Sequence, residues 1–254
     1  MLEGGSVTGG HLVNAGTVHI ETVAATTFDN VDVDNTAGVI IVDDEGGQPI
    51  PSTLILDGQT SIKSGTLTIG LVGTLEIAGF GVALSGVHVE NSGVFTVDDS
   101  AYLDLIGTSV TGDGTFHIFG TVEATGFSSL GGTIINDGII EIATGTLDIT
   151  GAISGSGTII VDTGATLELD GFNAQTINFK GQGGELVLDT GSFGGKIAGL
   201  DVADKLDLAD IKFGDNPTTS YDAKSGVLTV SDGDGHTISP VSYTHLTLPT
   251  NREV

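Results

Sequence analysis

The sequence contains no cysteine and no tryptophan, one methionine, and five prolines in 254 residues. Without cysteine there is no disulfide scaffold, although this does not fix the compartment. Positive charge is scarce too: seven Lys and Arg stand against 33 acidic residues, for a formal net charge of −26. Phosphate-bearing partners would be repelled, which argues against nucleic acid and against an anionic membrane surface. No apolar run approaches the length of a membrane span, so no membrane insertion is expected. The Met1-Leu-Glu-Gly-Gly start has neither the basic nor the apolar region of a signal peptide.

Glycine is abundant, with 41 residues and no collagen-like triplet. That level means many turns, and a hydrophobic content of 39% argues against disorder. Between the turns run short alternations: Ile140/Ile142, Leu147/Ile149, Ile159/Val161 and Leu167/Leu169. Alternation places one set of side chains on one face of a strand. No such strand is long enough to stand alone, so each must stack on a neighbour of its own kind.

The neighbours are present. Residues 91–124 repeat 136–171 at an offset of 43 to 45, with Asn91 matching Asn136 and Leu103-Asp-Leu105 matching Leu147-Asp-Ile149. A smaller unit, L-x-[LI]-x-G, occurs at Leu54–Gly58, Leu75–Gly79, Leu103–Gly107, Leu147–Gly151 and Leu167–Gly171. Spacings of 21, 28, 44 and 20 indicate coils of about 21–22 residues with occasional insertions. Asn14-Ala-Gly16 and Asn35-Thr-Ala-Gly38, 21 apart, begin two of these coils. The fold expected is all-β: a right-handed parallel β-helix (β-solenoid) of about eleven coils.

Three regions are expected. Residues 1–172 form the coils, interrupted by a loop at 46–53, where two prolines and a Gly pair cannot occupy a central strand. Residues 173–240 are a variant β region that continues or caps the stack. Within it, 201–213 reads as strand from the alternation of Leu206/Leu208 and Ile211/Phe213. Val241–Thr250, V-S-Y-T-H-L-T-L-P-T, resembles one reading frame of a transposon-based sequencing adapter. Residues 241–254, which include the chain's single Arg (Arg252), are therefore read as a non-native tail.

The coils resemble parallel β-helix segments of large secreted bacterial adhesin and autotransporter-like proteins. The distal part, including G-A-T-L-E-L-D-G (164–171), D-K-L-D-L-A-D-I-K-F (204–213) and G-V-L-T-V-S-D-G (226–233), resembles a segment of type I-exported, haemolysin-associated giants. The resemblance implies a secreted or bacterial cell-surface location, within a larger parent chain. The calcium nonapeptide of that group is not intact here, so its calcium sites are not implied.

Few side chains suggest chemistry. Adjacent Asp98 and Asp99 are the best acid/base candidates, as sugar-cleaving β-helices use paired carboxylates; as plain residues they suit a solvated turn. Asp43-Asp44-Glu45 has the same two readings. Asp29, Asp32 and Asp34 fail the EF-hand pattern and read as a polar outer face. Asp232 and Asp234, flanking Gly233, are the candidate Ca²⁺ ligands, in a D-G-D-G run that is also an ordinary turn. His11, His19, His88 and His117 are scattered without zinc-site spacing, and the last three should face outward. Thr66-x-Thr68 hints at an ice-binding array but is not repeated coil after coil.

The function expected is non-enzymatic: a stiff acidic spacer or display rod with a structural or adhesive role, whose partner would be a carbohydrate or a host or abiotic surface. The alternative is a carbohydrate-active β-helix enzyme acting through Asp98 and Asp99. Calcium- or ice-binding solenoids come third.

Overall fold

The computed structural model describes residues 2–21, 23–43, 51–189, 193–211, 217–222, 224–232 and 237–238. Among them there is no helix, and parallel strands stack as a β-solenoid of about ten turns. Each lap contributes to three faces. In the first lap these strands are Gly5–Thr8, His11–Val13 and Thr17–Ile20; in the fourth they are Gly73–Ile77, Phe80–Ser85 and His88–Asn91. In the sixth and seventh laps the second and third faces are spanned by single long strands, Thr121–Leu130 and Ile139–Ile149.

The core is a set of ladders parallel to the rod axis. On the first face Leu54, Leu75, Phe95, Phe116, Ile134 and Ile153 lie in register, all buried. On the second the ladder is Ile62, Leu84, Leu105, Ala124, Ile142, Val161 and Phe179. Val18, Ile40, Leu67, Val89 and Val110 form the early part of the third. Alternation within each strand makes this arrangement unavoidable, because slipping by one residue would turn every apolar side chain outward. The backbone of each lap bonds to the laps on either side at a spacing of about 4.8 Å.

The long strands bend because of glycine. Gly126 and Gly145 lie opposite each other with φ of +70° and +82°. A Cβ on Gly145 would come 2.0 Å from the Gly126 carbonyl oxygen. Only a residue without one can turn that corner against the lap beneath it.

Lap length follows the expected 21–22 residues early, as in Gly5↔Thr26, Thr17↔Val39 and Thr66↔His88. It shortens later, to 18 at Thr115↔Thr133 and 19 at Thr133↔Ala152. One long lap runs from Thr26 to Leu54, and residues 44–50 inside it are outside the described residues. The spacings of 28 and 44 in the five-residue repeat are not insertions. Leu54 and Leu75 are on the first face, Leu103 on the second, and Leu147 and Leu167 on the third. The unit thus recurs per side, and a step of one lap (28) or two laps (44) plus one side mimics an insertion.

Ser52 and Thr53, expected in a loop, open the strand Ser52–Asp57, which pairs with Gly73–Ile77. Pro51 stands just outside that strand, where its missing N–H costs nothing. Residues 173–189 and 193–208 continue the ladders through Lys205–Leu208. The expected eleventh coil is instead an antiparallel sheet of Thr218–Asp222, Val227–Ser231 and Thr237–Ile238. Its Leu228 and Val230 join the solenoid core, and Val230 faces Leu206 and Leu208 of the last lap. Ile211 lies beyond the last strand, and Lys212, Phe213 and residues 241–254 are outside the described residues.

Candidate functional site

Two surface features stand out. The first is a cleft of about 640 Å³ where the first face turns into the second, crossing four laps. Each lap supplies its corner: Phe80 in the fourth, Asp99 to Tyr102 in the fifth, Phe119 to Thr121 in the sixth, and Asp137 to Ile139 in the seventh. The corners stack tightly. Ala101 N–H donates to the Asp98 carbonyl (3.0 Å), closing a turn in which Ser100 is left-handed, with φ of +67°. A Cβ on Gly120 would meet the Asp98 carbonyl oxygen at 2.3 Å, so this corner also requires glycine.

Aromatic rings line the cleft. Phe80 is 73% and Phe119 43% exposed, and Ile139 of the same cleft is exposed too; elsewhere on the rod Phe127 and Phe172 are exposed apart from this cleft. The Phe80 and Tyr102 rings lie 5.3 Å apart, and Phe119 packs 3.9 Å from the His117 ring. The Tyr102 hydroxyl donates to Glu123, and burial together with that carboxylate pushes its pKa well above the usual phenol value. Asp137 accepts from Ser156 N–H at 2.9 Å and from the Ser156 hydroxyl at 3.1 Å, and lies 3.3 Å from His117. Those contacts hold its carboxyl below the ordinary range.

The adjacent Asp98 and Asp99 therefore part company. Asp99 lines the cleft, whereas Asp98 lies near enough to Glu76 on the neighbouring lap for its charge to act on that carboxyl. Burial and the Asp98 charge raise the Glu76 pKa.

The second feature is an acidic rung on the third face. Asp148 is in register with Glu168, and Asp170 and Asp189 follow the ends of their strands one lap apart. Ligand oxygens of Glu168, Asp170 and Asp189 all lie within 4.8 Å of one another. Asp148 and Asp170 each keep one carboxylate oxygen shielded from solvent and without a hydrogen-bond donor among the described residues. Burial, then mutual repulsion, raises the pKa of Asp148, Glu168 and Asp189. Hard oxygens so arranged could supply part of the donor set of a divalent cation.

The remaining sequence candidates are dispersed. Asp232 is buried at the end of Val227–Ser231, while Asp234, like Asp44 and Glu45, is outside the described residues. Asp32 accepts from Ser61 (2.7 Å) and contacts His11 (3.1 Å), and Asp34 accepts from Thr36, so local donors already satisfy both. His88 is exposed beside Ser109. Glu76 and the acidic rung escaped the sequence reading. Their signal was a one-lap spacing, 22 from Glu76 to Asp98 and 19 from Asp170 to Asp189, visible only once lap register is known.

No curated protein matches the chain, and no solved structure does. A family model does, that of the hyphally regulated cell wall protein N-terminal domain, over residues 8–243. That match spans nearly the whole solenoid and the antiparallel sheet beyond it. The chain belongs to the hyphally regulated cell wall protein N-terminal family.

Proposed function

We propose that this chain is a non-enzymatic, structural and adhesive rod at the cell surface, which holds binding features at a fixed distance and bearing. The observation that supports it best is the stacking of inward ladders through about ten turns of parallel strands, which makes a stiff element of roughly 50 Å at about 4.8 Å per lap. Family membership among cell wall proteins supports the location. The coil resemblance suggests a bacterial source and the family description a hyphal one; the proposal needs only a cell-surface setting.

Against an enzyme stands the geometry of the best carboxylates, with Asp98 beside Glu76 and Asp99 turned away into the cleft. Small-angle scattering should give a rigid rod of that length, and incubation with acidic and neutral polysaccharides should release no reducing or unsaturated ends. Turnover that Glu76→Gln or Asp98→Asn abolishes would overturn the proposal in favour of a carbohydrate-active enzyme.

The acidic rung favours a second role. We propose that Glu168, Asp170 and Asp189 bind Ca²⁺, which would relieve their repulsion and stabilise the later laps. A melting temperature that is the same in chelator and in saturating Ca²⁺ would exclude it.

A further inference from the structure

The corner cleft is where exposed apolar side chains and polar groups come together: Phe80, Phe119 and Ile139 line it with Asp99, Ser100 and Thr121. Phe80 and Phe119 expose ring faces to water, a costly arrangement for an isolated domain and one that marks recognition surfaces. Between them lie the hydroxyls of Ser100 and Thr121, and the Asp99 carboxylate, which meets no donor among the described residues. Flat apolar faces beside unsatisfied acceptors suit a molecule with the same duality. A sugar ring has it, with C–H groups on one face and hydroxyl donors around its rim.

Charge and backbone narrow the class. A net charge of −26 disfavours uronates, sulfated chains and phosphate-bearing ligands. A peptide adding itself as a strand would need free backbone groups, but at these corners they are engaged lap to lap: Tyr102 N–H donates to Gly79, Thr121 N–H to Ala101 and Ile139 N–H to Gly120. The cleft crosses four laps, roughly 15 Å along the axis at about 4.8 Å per lap. That length takes a few sugars of an extended chain rather than a single ring.

We propose that this corner cleft binds an uncharged, extended glycan chain, with sugar rings stacked on Phe80 and Phe119 and sugar hydroxyls donating to the Asp99 carboxylate. This deepens the display-rod reading by naming the displayed site and its partner. Aromatic stacking supplies the affinity, and the charge-assisted hydrogen bond to Asp99 fixes orientation.

The test uses the full chain with uncharged linear hexasaccharides: β-1,3- and β-1,4-linked glucose, N-acetylglucosamine and mannose. Calorimetry should show saturable binding to at least one. Because the chain has no tryptophan, tyrosine emission should change on binding through Tyr102, and Tyr102→Phe should abolish the change. Phe80→Ala and Phe119→Ala should each weaken binding about tenfold, and Asp99→Asn should weaken it less. Phe127→Ala, at an exposed ring on the opposite corner, should leave it unaltered. The proposal fails if none of the hexasaccharides binds, or if binding survives the Phe80→Ala/Phe119→Ala double variant. It fails equally if the cleft proves to be a contact between copies that Phe80→Ser disrupts. Rod dimensions and absence of turnover do not depend on these side chains, so the display-rod reading fails separately.

Discussion

Phe95 and Phe116 stack one above the other in the core, ring centroids 4.2 Å apart and planes within 14° of parallel. They are in register on adjacent laps of the first face, and both are essentially inaccessible to solvent. Truncating either removes the largest fully buried side chain from its lap and the stacking partner from the next.

Phe116→Ala should therefore destabilise the chain by about 3–5 kcal/mol, and Phe116→Leu by much less. Urea denaturation followed by circular dichroism measures both. A loss below about 1 kcal/mol for the alanine variant would show that the laps do not pile as described.

Gly145→Ala should be nearly as damaging, although it adds one methyl group. The residue combines a positive φ with a neighbouring carbonyl 2.0 Å from any Cβ. Gly164→Ala is the control: its φ is +70° but no atom lies within 4 Å of the added carbon. The difference between their melting temperatures isolates lap-to-lap crowding from backbone strain.

Stability should rise as the solution becomes mildly acidic. The raised carboxyls of Glu76, Asp104, Asp148, Glu168 and Asp189 bind protons more readily in the folded chain. Their contribution is present at and below the ordinary values of 3.8 and 4.5 and is lost as pH climbs through the raised ones. Asp32, Asp34, Asp137 and Asp222 have lowered values and act oppositely, losing their contribution below 3.8. The melting temperature should therefore be higher at about pH 5 than at about pH 8, and fall again below about pH 3. Ca²⁺ should narrow the gap between pH 5 and pH 8, and Asp189→Asn should narrow it without calcium.

Glu76 and Asp98 give a spectroscopic prediction. Asp98→Asn removes the charge that raises the Glu76 pKa, so carboxyl carbon NMR should show Glu76 titrating closer to 4.5. Burial remains, so the value should stay somewhat above it. An unchanged Glu76 titration would mean that the Asp98 charge does not reach it.

Architecture was legible in the sequence because it is written in alternation, and alternation fixes which side chains point inward. Ile140 and Ile142 could be assigned to the core from the chain alone. What could not be read was the side on which a given strand lies, since Leu103-Asp-Leu105 and Leu147-Asp-Ile149 look alike yet occupy different faces. Sites built across laps were invisible for the same reason. Phe80 and Tyr102 are brought together only by lap register, and so are Glu168 and Asp189. Asp98 and Asp99 drew notice by adjacency, but they lie in the turn after Val94–Val97, where adjacency does not make a pair.

The equivalence of the three sides bears on how such a chain can lengthen. Duplicating a single strand-and-turn unit would leave the interior filled, because any side accepts it. Everything beyond the duplication would swing by a third of a revolution, so the aromatic corner and the acidic rung could be brought into line or set back to back without altering one contact inside either.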